Sequence, residues 1–195
     1  MKLDIILAGV GGQGILSIAT VLGYAAVQSG LSLKQAEVHG MSQRGGDVQS
    51  HLRISDKTIY SDLIPKGAAD IILSVEPMES LRYLPYLSTE GWLVTNTTPY
   101  KNIPNYPELE KILKEVNKVP QHVAIDADGM AKELKNSRGM NMVMAGAASL
   151  FMDIDFEQLK AGIRYIFGRK GQEVVDLNIA TLEAGRKFAE ENRSS

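Results

Sequence analysis

The chain has 195 residues, of which 44% are hydrophobic and 23% charged, and its formal net charge is -2. That is material for one globular domain with a core, and it leaves neither a disordered chain nor a global electrostatic case for nucleic acid. Cysteine is absent, so disulfides and thiolate-held zinc or iron–sulfur clusters are excluded, and the three histidines (His39, His51, His122) have no ligand spacing, so no metal site is expected. Apolar runs all stop short of the roughly 18 residues a membrane span needs. The opening Met1-Lys2-Leu3-Asp4 has no secretory pattern, and a cytoplasmic protein is expected.

Leu3 to Ala8 is short, apolar and β-branched, which predicts a buried parallel strand ending at Gly9. From Gly12 to Ser29 apolar residues recur at helical spacing (Ile15, Ile18, Ala19, Leu22, Ala25, Ala26), with Gly30 as the stop. Leu31 to Val38 reads as a second strand, so the opening is a βαβ unit. Val48, Ser50, Leu52 and Ile54 alternate with polar residues, which predicts a strand with one buried face. Ile59-Tyr60-Ser61 is expected to pair back on it as a hairpin, making the sheet mixed. Asp70 to Val75 predicts a further buried strand, and Pro77 opens a helix to about Tyr86.

Gly91 to Asn96 is another strand, and Thr97 to Pro107, with three prolines and two asparagines, is a loop. Glu108 to Asn117 has helical spacing, His122 to Ile125 is the last strand, and a helix follows from Asp126-Ala127-Asp128-Gly129 to about Asn136. Asn141 to Phe151 is apolar almost all round, as a helix buried in a core or an interface would be. Phe156 to Phe167, capped by Asp153 or Asp155, and Glu173 to about Glu191 complete a helical C-terminal part, about 139–191. The fold class expected is α/β: a three-layer α/β/α arrangement with a mixed, mainly parallel sheet and a Rossmann-like start.

Two glycine-rich stretches carry the chemistry. Gly9-Val10-Gly11-Gly12-Gln13-Gly14 fits the dinucleotide fingerprint in a strand–turn–helix context, and Glu37 stands where an acidic residue would bind the ribose. Free amides at the helix start also suit an anion. The same glycines equally serve close packing of helix on strand, and no second domain is left to hold a substrate. The second stretch is Glu37-Val38-His39-Gly40-Met41-Ser42-Gln43-Arg44-Gly45-Gly46, which runs into a loop at a strand end where the Arg44 guanidinium suits a carboxylate, a phosphate or an acidic partner. A local salt bridge is the alternative. His39 lacks an accompanying nucleophile and reads as a hydrogen-bonded structural histidine. Glu76 reads as a helix-start carboxylate, Asp126 and Asp128 as a turn and cap, and Met140, Met142 and Met144 as core or interface filler.

Together, Gly9 to Leu16 and Glu37 to Gly46 resemble the gamma-type subunit of 2-oxoacid:ferredoxin oxidoreductases, with the second motif similar to the small subunit of the indolepyruvate enzymes. The resemblance continues through Ser50 to Ile54, Asp70 to Pro77 and Asn141 to Gly146, nearly the whole chain. It implies one gamma-type domain over residues 1–195, inactive alone, in an enzyme that converts an aryl pyruvate to acyl-CoA while reducing ferredoxin. Thiamine diphosphate and iron–sulfur clusters are then expected on a large alpha-type partner, with coenzyme A at the shared interface. The chain would meet ferredoxin only indirectly, and whether it dimerises when isolated stays open. The active-site or partner-docking loops expected are Gly9, Gly11, Gly12, Gln13, Gly14, His39, Met41, Ser42, Gln43, Arg44, Gly45 and Gly46; no catalytic residue is assigned. The alternatives are a stand-alone NAD- or nucleotide-binding protein and a purely scaffolding subunit.

Overall fold

A computed structural model of the chain describes residues 1–39, 45–101 and 103–194. In chain order the elements are β1 (Lys2–Val10), α1 (Ile15–Gln28), β2 (Ser32–His39), β3 (Asp47–Ser55), β4 (Ala69–Ser74) and α2 (Pro77–Arg82). A short 3-10 turn (Leu84–Tyr86) leads to β5 (Leu87–Asn96), α3 (Leu109–Val116), β6 (His122–Ile125) and α4 (Ala127–Glu133). Then come α5 (Met140–Ser149), α6 (Phe156–Phe167) and α7 (Gln172–Asn192). All six apolar positions that predicted the first helix are buried in α1.

Among the described residues the sheet has the order β2-β3-β1-β4-β5-β6. β1, β4, β5 and β6 are parallel neighbours, whereas β3 runs antiparallel to both β1 and β2. The sheet is therefore mixed and mainly parallel, flanked by helices on both faces. One face carries α1 and α4 to α7 over a large apolar core that includes Ile5, Leu7, Ile71, Leu73 and Val94. The other face carries α2 and α3 over Ile6, Ala8, Ile72, Leu93, Tyr83 and Val116. Successive residues of β1 and β4 point to opposite faces, which is why both carry unbroken apolar runs, Ile5 to Ala8 and Ile71 to Leu73.

Two details of the predicted topology change. β2 does not lie beside β1, because β3 folds back between them, so the opening is not a closed βαβ unit. Nor do Ile59-Tyr60-Ser61 pair with β3, whose hairpin partner is β2. That segment is held by side chains: Arg53 donates to the Ser61 and Leu63 carbonyls and Lys34 to the Tyr60 carbonyl. The guanidinium also forks onto the buried Asp4 carboxylate at 2.8 and 3.0 Å, the bidentate geometry in which an Arg–carboxylate pair is strongest. The helix opened by Pro77 is shorter than expected and gives way to the 3-10 turn after Tyr83.

The apolar helix predicted at 141–151 is α5, and it is a core helix. It lies against α7 so closely that a Cβ on Gly146 would land on the Leu182 carbonyl oxygen, and one on Gly185 on that of Val143. Two glycines thus let the backbones touch. At the far end of the chain, the residue 194 amide donates to the His122 carbonyl at 3.1 Å, and the His122 amide to the Ser194 hydroxyl at 3.1 Å. The tail therefore covers the start of β6, an edge strand whose open amides would otherwise invite pairing.

Candidate functional site at the carboxyl ends of the strands

Open α/β sheets bind in the crevice outside the carboxyl ends of their strands. β1, β4, β5 and β6 end on one side of the sheet, and β2, running in the same direction, ends there too. His39 and Gly9 both pair with Val48, which sets the exits of β1 and β2 in one row across the sheet. Beyond that row the Gly11 amide donates to the Gly46 carbonyl at 2.8 Å, and the Gly45 amide to the Gly11 carbonyl at 3.3 Å. Main-chain bonds thus join the two glycine stretches. Of the residues singled out in the second, Gly40, Met41, Ser42, Gln43 and Arg44 lie outside the described residues.

Gln13 builds the first turn from within. Its Oε1 accepts from the Val10 amide at 2.8 Å, and its Nε2 donates to the Val75 carbonyl at 3.4 Å, at the end of β4. Gly12 and Gly14 hold φ of 103° and 74°, where a side chain is strained, and both are exposed, so bare backbone faces outward. Gly9 has a packing role, since a Cβ there would come 2.5 Å from Val75 Cγ2. Asn141, in the first turn of α5, donates through Nδ2 to the Gln13 carbonyl at 2.9 Å and the Gly14 carbonyl at 3.0 Å. The turn is therefore pinned from the far end of the sequence.

The dinucleotide fingerprint needs its acidic residue on a strand beside β1. Here β3 intervenes, pairing Glu37 with Ser50, so Glu37 sits two strand spacings, about 10 Å, from β1. The structure separates the two halves of that fingerprint.

A set of buried polar side chains follows the ends of the other parallel strands. Glu76 is fully buried just past β4: Oε2 accepts from the Glu79 amide at 2.9 Å, while Oε1 accepts from the Tyr100 amide at 3.2 Å and from the Tyr106 hydroxyl. It is the helix-start cap that the sequence predicts, and it does more than cap. Burial, then the bond to Glu76, pushes the Tyr106 hydroxyl pKa well up. Asn96, fully buried at the end of β5, donates to the Val75 carbonyl at 3.2 Å and to Asp128 Oδ2 at 2.8 Å, and accepts from the Ala127 amide at 3.1 Å. Asp126 caps α4 through the Gly129 amide at 2.9 Å, as expected. Tyr83 donates to Asp47 Oδ2 at 3.0 Å, and its pKa too is raised, by burial and then by Asp47. Sequence reasoning passed over Asn96, Tyr83 and Tyr106; the usable signal was that Glu76, Asn96 and Asp126 each stand within two residues of a parallel strand end. Among the described residues no group of three or more histidines or carboxylates is placed to hold a metal ion.

Residues 4–188 match the family model for pyruvate ferredoxin/flavodoxin oxidoreductase, and the chain belongs to that family. Within it, the chain is a small subunit of the gamma type. It is 36% identical over 206 aligned residues to indolepyruvate oxidoreductase subunit IorB of Archaeoglobus fulgidus, covering 100% of this chain and 99% of that one. It is 38% identical over 198 residues to the IorB subunit of Thermococcus kodakarensis, with 96% of each covered. Among solved structures it superposes on pyruvate oxidoreductase subunit PORC of Thermotoga maritima with a TM-score of 0.75 at 22% identity, over 95% of this chain and 96% of that one. It also superposes on 2-oxoglutarate:ferredoxin oxidoreductase of Magnetococcus marinus, a structure with 2-oxoglutarate, coenzyme A and succinyl-CoA bound. There the TM-score is 0.77 at 23% identity, and this chain, fully covered, spans 32% of the longer one. At such identities the two structures speak for the fold.

Proposed function

We propose that the chain is the small subunit of a thiamine-diphosphate-dependent 2-oxoacid:ferredoxin oxidoreductase that acts on an aryl pyruvate such as indolepyruvate. The overall reaction takes a 2-oxoacid anion, coenzyme A and oxidised ferredoxin to acyl-CoA, carbon dioxide, a proton and ferredoxin reduced by two electrons in all. Thiamine diphosphate supplies the carbanion chemistry and the clusters carry the electrons. This chain offers neither a home: it has no cysteine and, among the described residues, no acidic or histidine cluster. Both are assigned to a large alpha-type subunit. What this chain contributes is the paired glycine turns, placed at one rim with exposed backbone at Gly12 and Gly14, where a partner's edge or coenzyme A can come close to the main chain.

The observation that carries the reading is the likeness to IorB subunits end to end, together with the two glycine stretches bonded to each other at the carboxyl rim. Recovery of a large thiamine- and cluster-bearing subunit with the tagged chain from its native source is the expected result. Purification of the chain alone, or with partners lacking both cofactors, would refute it. Replacing Arg44 by Ala in the reconstituted complex is expected to impair assembly or turnover; unchanged assembly and kinetics would remove Arg44 from the docking loop.

A further inference from the structure

We infer that Glu76 and Tyr83, at the two ends of α2, are positioning residues that hold the loop leaving β5 and the chain entering β3 in register with each other. Glu76 is fully buried; among the described residues two amides and a phenol donate to it, and no cation pairs with it. A carboxyl group taken out of water has to be held by its hydrogen bonds. Capping α2 does not account for it, because a neutral Ser, Thr or Asn caps as well and the cap occupies only Oε2.

The other oxygen does separate work. Oε1 accepts from the Tyr100 amide and the Tyr106 hydroxyl, 24 and 30 residues further along the chain. Both belong to the proline-rich loop that leaves β5 at the rim, and that loop is also tied to the end of β6 by the Thr98 hydroxyl on Asp126 Oδ1 at 3.1 Å. A single carboxylate oxygen thus gathers two points of a loop whose described residues form no helix or strand. At the opposite end of α2, the Tyr83 hydroxyl holds Asp47, the first residue of β3 and the immediate exit of the second glycine stretch. One rigid turn-and-a-half of helix, roughly 9 Å long, therefore spaces the anchor of one loop from the anchor of the other. Displacing α2 moves both.

The functional weight of this tie rests on the small-subunit reading, in which these loops face the large subunit. The test uses the complex of this chain with its cofactor-bearing large subunit and three variants: Tyr106→Phe, Tyr83→Phe and the double variant. Each substitution removes one hydroxyl and leaves the ring in place. Amide hydrogen exchange is expected to rise across residues 97–107 in the first and across residues 45–50 in the second. The dissociation constant of the complex, or the KM of the assembled enzyme, is expected to rise about 5- to 10-fold in each single variant. The double variant is expected to lose less than the product of the two, since both loops answer to one helix. A merely structural role would lower Tm and leave dissociation constant and KM untouched. Unchanged exchange in both variants would overturn the anchoring; faster exchange with dissociation constant and KM within twofold would overturn the positioning role. Failure of the unaltered chain to associate with any large subunit would sink the small-subunit reading instead, and exchange would still decide the anchoring.

Discussion

The two faces of the sheet are built on different principles. Under α1 and α4 to α7 the core is apolar, and its helices hold buried hydroxyls on their own backbone: the Ser149 hydroxyl on the Gly146 carbonyl, the Thr181 hydroxyl on those of Leu177 and Asn178. Under α2 and the 3-10 turn the protein buries ionisable groups instead: Glu76, Glu79 and His51. The first face is fixed by volume, the second by hydrogen bonds that reach into loops. Stability should therefore be sensitive to size on one face and to protonation on the other.

The sharpest way to break that comparison is at the α5–α7 contact. Gly185→Ala places a methyl on the Val143 carbonyl oxygen. Overpacking of this kind costs about 3 kcal/mol, which for a chain of this size lowers Tm by roughly 6–12 °C. Calorimetry checks it, and a drop under 2 °C would mean the helices can part without cost. Next in size is His51→Ala. His51 Nδ1 accepts from the Ile64 amide at 2.9 Å in a buried setting, and orphaning that amide costs about 1–3 kcal/mol.

His51 also sets a direction with pH. Burial, then Arg53, lowers its pKa from 6.5 while Asp62 opposes, so the folded protein resists protonation more than the unfolded chain does. Its contribution is complete above pH 6.5 and is lost as pH falls through the lowered value. Denaturant midpoints measured between neutral and mildly acid pH should show this loss in the parent and not in His51→Ala. The smallest effect expected is at Glu79, whose pKa burial raises from 4.5 against the pull of Arg82. An acid with a raised folded pKa contributes stability that is full below the unfolded value and is lost as pH rises through the folded one. Glu79→Gln should flatten that descent above pH 4.5; an unaltered slope would assign it to another group.

Much of the fold was legible because it is written in local periodicity. Alternation from Val48 to Ile54 gave β3, and helical spacing from Ile15 to Ala26 gave α1. Strand partners were not legible. Nothing local in Ile59-Tyr60-Ser61 says that its carbonyls go to Arg53 and Lys34 and not to a neighbouring strand. The same holds at the crevice. Glu76 was readable as a cap, since its first partner is three residues away, but its bonds to Tyr100 and Tyr106 depend on how a loop closes over the sheet. The distance between Glu37 and the first turn was hidden for the same reason, because it depends on β3 folding in between.

The contact of residue 194 with His122 has a bearing on architecture. His122 begins β6, and Met1, whose amino group pairs with Asp56, precedes β1, so both ends of the described chain leave from the pole opposite the glycine turns. Polypeptide fused at either terminus would emerge away from the crevice and leave it unobstructed. A unit wired in this way can be spliced into a longer chain without disturbing the carboxyl ends of its strands. The same fold does occur as about a third of one long polypeptide in the Magnetococcus marinus structure.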